Sequence, residues 1–260
     1  RAEAGLLASE THAFIDDKGE TDMAEFDFNE SHHGCLVGFF YDELKKAFSK
    51  RSIAAFKKAA QIYGEQRGGR MALRALRDGQ DLSYNSYFHY REWPLTQDFF
   101  KIEQSVTDGV MLTETFVCPW HAAFKELGLL ECGTAYCEQI DASLVRGFNP
   151  DLKFEVLTLL HTSDSCRLHF HLDVPLKKLE EADTPVILDM EYHCAHLFWT
   201  FADVTKSIFG GKSLSVIENV IRRFSERFGQ ERREALEAYQ DCNFVRLPEG
   251  EERYAKNVVR

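Results

Sequence analysis

The sequence predicts an α+β fold, an antiparallel sheet of about four strands flanked by N- and C-terminal helical hairpins. Three observations predict it. Apolar residues recur at helical spacing toward both ends, alternation at period two marks the middle, and turn residues separate the alternating runs. The chain has 260 residues, 44% apolar and 13% aromatic, which is enough for one sizeable core.

Residues 1–30 are acid-rich and lack a period, so they read as a tail or capping segment. A single domain is expected over 31–240, with an irregular tail over 241–260. Leu36, Phe39, Phe40 and Leu44 mark a first helix, and Ile53, Phe56, Ala60 and Tyr63 a second. Arg67-Gly68-Gly69 is expected to interrupt the second before it resumes to Leu76. The Tyr-rich stretch over 78–94 reads as a loop.

Phe100, Ile102 and Val106 then indicate a strand, Thr107-Asp108-Gly109 a turn, and 110–117 a second strand. Pro119 suits the first position of a short helix that Gly128 ends. A further helix is expected over 134–148, stopped by Asn149-Pro150. Phe154, Val156, Thr158 and Leu160 alternate along a third strand. In a fourth, Cys166, Leu168, Phe170 and Leu172 share one face and Arg167, His169, His171 and Asp173 the other. His161 to Ser165 reads as the hairpin link between these two. Two long helices are expected over 186–209 and 213–239, broken at Gly210-Gly211.

Residues 42–48 align with 203–209 at an offset of 161, and 63–67 with 228–232 at an offset of 165. Two helical hairpins related by pseudo-symmetry would produce this, as would two amphipathic hairpins that look alike by chance. Under the first offset His32 falls opposite His193 and Cys35 opposite His196.

The formal net charge is −11, which disfavours nucleic-acid partners. No apolar run is long enough to span a bilayer. Seven cysteines, an odd number without a Cys-x-x-Cys pair, fit reduced thiols in the cytoplasm better than a disulfide framework or zinc ribbon. A glycine-rich phosphate loop, a Gly-x-Ser-x-Gly elbow and a His-Glu-x-x-His pair are all absent from the sequence. No cofactor is expected. His193 with His196, and His32 with Cys35, have the i,i+3 spacing that can hold a metal, and they are the candidates if one binds.

Between Val117 and Asp173 an ordered series stands out. It runs Cys118-Pro119-Trp120, Phe124-Lys125-Glu126-Leu127-Gly128-Leu129, Tyr136-Cys137, Asp141, Gly147-Phe148-Asn149-Pro150 and Cys166. The series resembles the L-2-amino-thiazoline-4-carboxylic acid hydrolase family, and more distantly the 4-vinyl-reductase-type ligand-binding domains. The second likeness implies helices on an antiparallel sheet around a small-molecule pocket. The first implies a hydrolase that opens a thiazoline or cyclic amidine-like ring to an N-carbamoyl-cysteine product.

By this resemblance Cys118, Cys137 and Asp141 are the catalytic candidates, and Trp120, Asn149 and Cys166 the substrate-binding ones. Cys137 and Asp141 are four apart on a predicted helix and share a face with Leu144 and Phe148. A carboxyl on such an apolar face has a raised pKa, useful for proton transfer, and a thiol beside it is a nucleophile or a pocket wall. An Arg-Thr pair of the family pattern is replaced here by Val156-Leu157-Thr158-Leu159, which removes one basic partner for a substrate carboxylate. Two other readings stay open. One is a non-catalytic sensor or carrier pocket, the other a biosynthetic enzyme using the fold for a different ring-forming or ring-opening reaction. The expected partner is a small molecule, with a homo-oligomer compatible.

Overall fold

The computed structural model describes residues 27–93, 100–176 and 188–248. The expected tails over 1–30 and 241–260 fall largely outside them. The parts described are packed: Phe28 is buried, and Phe244 stacks on His196 at 4.8 Å.

Helix α1 (Glu30–Phe48) starts at Asn29, whose Oδ1 accepts from the amides of Ser31 and His32 at 3.0 and 3.3 Å. Such a cap contributes about 1 kcal/mol. Helix α2 (Ser52–Arg77) runs unbroken through Gly68 and Gly69, contrary to the expected interruption. The glycines serve packing instead. A Cβ on Gly68 would lie 2.0 Å from the Leu144 carbonyl oxygen, and one on Gly64 2.8 Å from the Ser143 Cβ. A Cβ on Gly147 would meet the Glu65 carbonyl oxygen at 2.3 Å. The backbones of α2 and α5 (Leu130–Phe148) therefore touch along this line. Gly34 and Gly38 do the same for α1 against α4 (Pro119–Glu126), where Cβ atoms would meet Ala123 and Leu127.

The Tyr-rich segment holds a short helix, α3 (Tyr84–His89), where a loop was expected. Asp81 Oδ1 accepts from the Ser83 amide and the Ser83 and Ser86 hydroxyls, which opens the turn. Tyr84 and Tyr87 then pack on Phe170 at 4.9 and 5.2 Å, so tertiary burial sustains a helix of six residues.

The sheet has the order β1-β2-β4-β3, all antiparallel, with β1 (Lys101–Thr107), β2 (Val110–Val117), β3 (Phe154–Thr158) and β4 (Cys166–His171). Asp108 (φ 50°) and Gly109 (φ 76°) both adopt the left-handed region that a tight two-residue hairpin requires. Register places Ile102, Thr115 and Cys166 in one inward row and Gln104, Thr113 and Leu168 in the next. Helix α5 begins at Leu130, four residues before the expected start.

Helices α6 (Met190–Phe209), α7 (Leu214–Phe228) and α8 (Gln230–Glu237) complete the fold. The single helix expected over 213–239 is divided at Gly229, whose φ of 97° no helical residue adopts. The expected start at 186 lies outside the described residues. The aligned blocks at offset 161 do share a local structure. Each helix ends in a 3₁₀ turn, Ser52 Oγ donates to the Ser49 carbonyl at 2.5 Å, and Ser213 Oγ donates to the Gly210 carbonyl at 2.6 Å. Phe48 and Phe209 stack at 3.6 Å, near-parallel at 1°.

The main core lies among α1, α2, α6 and α7, and a smaller one, with Met71, Phe148 and Phe170, lies under the sheet. Among the described residues no helix is long and apolar enough to cross a membrane.

Candidate functional site

A cavity of about 260 Å³ lies between the inner face of the sheet and α5. Tyr136, Cys137, Ile140, Asp141 and Leu144 face it from α5, with the spacing of one helical face. Gln104, Thr113, Thr115, Cys166 and Leu168 face it from the sheet. Trp93, Trp120 and Tyr87 also line it. A 150 Å³ apolar cavity holds a benzene, so this one suits a ligand of about ten non-hydrogen atoms.

The cavity gathers five of the six expected catalytic and binding residues: Cys118, Trp120, Cys137, Asp141 and Cys166. Asn149 is elsewhere. Its Nδ2 donates to the Leu82 carbonyl at 2.9 Å and its Oδ1 accepts from the Asp151 amide at 3.0 Å, so it ends α5 and ties down the following turn.

Asp141 is the acid of the site. Burial pushes its carboxyl up to about 6, against the pull of Arg67. Among the described residues no hydrogen bond engages its carboxylate, which is free to meet a ligand. Cys118 stands at the N-cap of α4. Burial raises its thiol, the amides of His121 and Trp120 pull the other way, and Asp141 adds to the rise. Cys137 is raised well above the ordinary thiol range by burial and then by Asp141, and Cys166 is raised by the same two causes. All three are free thiols.

The sequence reading missed the groups that make this set polar. His161, taken as part of a hairpin link, places Nε2 3.3 Å from Cys137 Sγ. Its Nδ1 lies 3.1 Å from Nδ1 of His121. Burial and then His121 lower His161 to about 4, and burial with Lys125 lowers His121. The thiol and imidazole are thus both neutral, and proton transfer from Cys137 to His161 is uphill. The resting site holds no preformed thiolate at this pair.

Arg67 brings a cation to the cavity wall. Its guanidinium stacks on Trp93 at 3.7 Å, and its Nε reaches Glu92 Oε2 at 3.4 Å. Arg70 donates to both Glu92 oxygens at 2.8 Å, and Arg74 to one at 2.8 Å. All four residues are buried. Burial alone would raise Glu92, but Arg70 and Arg74 overcome it and hold the carboxyl well below its usual range. Glu92 thus joins Arg67, Arg70 and Arg74 in one buried ionic cluster beside the cavity. A signal was present: Arg67, Arg70 and Arg74 fall on the apolar stripe of α2 that carries Tyr63 and Met71. Charges on a buried stripe mark an internal ionic cluster.

Trp120 is held from behind. Its Nε1 donates to His33 Nδ1 at 2.9 Å, which makes His33 Nε2 the protonated nitrogen facing the Tyr63 hydroxyl at 2.9 Å.

The four metal candidates do not converge. His32 caps α1, with Nδ1 accepting from the Asn29 amide at 3.1 Å, and packs on Phe228. Cys35 is buried in α1. His193 Nε2 faces the Glu92 carbonyl at 3.4 Å, and His196 lies between Gln66 and Arg70. Among the described residues no three His, Cys, Asp or Glu side chains are grouped to hold a metal.

Residues 29–170 match the family model described as L-2-amino-thiazoline-4-carboxylic acid hydrolase. No curated protein and no solved structure matches the chain.

Proposed function

The chain belongs to the L-2-amino-thiazoline-4-carboxylic acid hydrolase family, and from that membership we propose that it opens a 2-aminothiazoline ring by hydrolysis. The proposed substrate is 2-amino-thiazoline-4-carboxylate and the product N-carbamoyl-cysteine. One observation carries the reading: an unpaired carboxyl, Asp141, faces a largely apolar cavity together with Arg67 and three thiols.

Each part has a role in this chemistry. The substrate is a flat ring of about the size the cavity holds. Arg67, a cation in the cavity wall, takes the ring carboxylate. Asp141 faces the amidine-like carbon between nitrogen and sulfur, where it orients a water and takes its proton. A carboxyl near 6 is ionised at neutral pH yet basic enough to act as a general base. The attacking group is water rather than Cys137, because that thiol is protonated and its imidazole partner is a weak base. Cys118, Cys137 and Cys166 line the wall as soft donors and shape the pocket for a ring sulfur. No cofactor takes part in this scheme.

The test is mass spectrometry of the protein incubated with 2-amino-thiazoline-4-carboxylate, following gain of one water and one free thiol. Turnover that falls at least ~100-fold in Asp141→Asn is the expected result. A folded wild-type protein that binds the ring without converting it would make this a carrier or sensor pocket instead.

A further inference from the structure

Ring opening leaves a sulfur anion inside a cavity that disfavours charge. Every thiol in its wall has a raised pKa because of burial, and the departing sulfur meets the same penalty. A proton must reach it as the carbon–sulfur bond breaks. Asp141, once it has taken the proton of the attacking water, is one donor for it.

The structure holds a second path. Cys137 Sγ, His161 Nε2, His161 Nδ1 and His121 Nδ1 form a chain with contacts of 3.3 and 3.1 Å. All three residues line the cavity. His121, on the first turn of α4, is also only partly buried, so this end of the chain meets solvent. A specific vacancy accommodates the middle member. A Cβ on Gly133 would lie 2.4 to 2.6 Å from three atoms of the His161 ring, so α5 carries a glycine where the imidazole crosses it. The ring also packs on Phe124 at 5.6 Å, and Lys125 is the charged group that bears on His121. We propose that Cys137, His161 and His121 form a proton path that protonates the sulfur leaving group from solvent. The proposal rests on the ring-opening reading above.

Water adds its oxygen to the amidine-like carbon, with one proton passing to the ring nitrogen and the other to Asp141. The carbon–sulfur bond breaks, and its electron pair leaves with sulfur. The sulfur takes the Cys137 proton. His161 Nε2 returns one to Cys137, His121 Nδ1 returns one to His161 Nδ1, and solvent returns one to His121 Nε2. Asp141 releases its proton to solvent with the product. Both imidazoles change tautomer and neither needs to stay charged, which suits groups held neutral at rest.

The test compares the thiazoline with its selenium analogue, 2-amino-selenazoline-4-carboxylate, in wild type, His161→Gln and His121→Asn. A selenolate is a weaker base than a thiolate and leaves with less help. The expected result is a loss of kcat on the thiazoline of about 100-fold in His161→Gln, within the range for general acids. The loss on the selenazoline is at least ~10-fold smaller. His121→Asn follows the same pattern more weakly, and the smaller His121→Ala side chain is partly rescued by added imidazole. Equal losses on both rings, in variants with wild-type thermal melting, would overturn the path and leave the hydrolase reading intact. A wild-type protein that opens neither ring would overturn the hydrolase reading itself.

Discussion

Asp141→Asn should make the protein more stable while it makes it less active. The structure places this carboxyl at about 6 instead of 3.8, with burial as the cause and Arg67 only partly compensating. Holding it ionised in that environment therefore costs the folded state about 3 kcal/mol. The sign is that of a raised acid. The cost is absent below about pH 4, grows as pH rises between the unfolded and folded values, and is complete above about 6. An asparagine keeps the shape and removes the charge. At pH 7.5 the variant should gain about 3 kcal/mol, or roughly 6 to 12 °C in Tm for a chain of this length. At pH 4 it should gain almost nothing. Urea or thermal unfolding of both proteins at the two pH values measures this directly. A variant no more stable than wild type at pH 7.5, or one with the same gain at both pH values, would refute the claim that Asp141 is a buried charge kept for its chemistry.

The same group sets a pH profile: kcat/KM on the thiazoline should rise with pH through a limb near 6, and that limb should vanish in Asp141→Asn. Glu92→Gln should cost about 3 to 5 kcal/mol in chemical denaturation, because it leaves Arg70 and Arg74 buried beside a neutral amide. Arg67→Met should raise KM for the carboxylate substrate about 100-fold with a smaller change in kcat, as steady-state kinetics would show. Gly68→Ala should destabilise by about 3 kcal/mol or more in the same unfolding assay, since its Cβ meets the backbone of α5 at 2.0 Å and no rotamer can relieve it.

Strands β3 and β4 were legible because their residues alternate between the cavity side and the outer side, whereas β1 is exposed along nearly its whole length. The face carrying Cys166, Leu168 and Phe170 is the face that lines the cavity. The turn at Asp108-Gly109 was legible for its backbone, and the start of α4 for its proline. The break expected at Arg67-Gly68-Gly69 failed for a physical reason. Glycine signals both a flexible backbone and a missing Cβ, and only the partner helix decides which property is in use.

Local chemistry in the chain thus determined the α+β class, the order of its elements and, through one ordered series of residues, the family. It also placed Cys137 and Asp141 on a common helical face, because positions four apart coincide on any α-helix. Tertiary structure alone decided what that face meets. His161 lies 24 residues from Cys137 and His121 lies 40 from His161, so no periodicity relates them, and only the docking of α4 and the β3–β4 link on α5 brings them into line. The charge balance of the cavity was equally non-local. Arg67 is a helix residue like many others until α2 presses against α5 and Glu92 folds beneath it, removing water from all of them. A side chain's chemistry is written in its residue type, but its pKa and its partners depend on which distant surfaces exclude solvent around it.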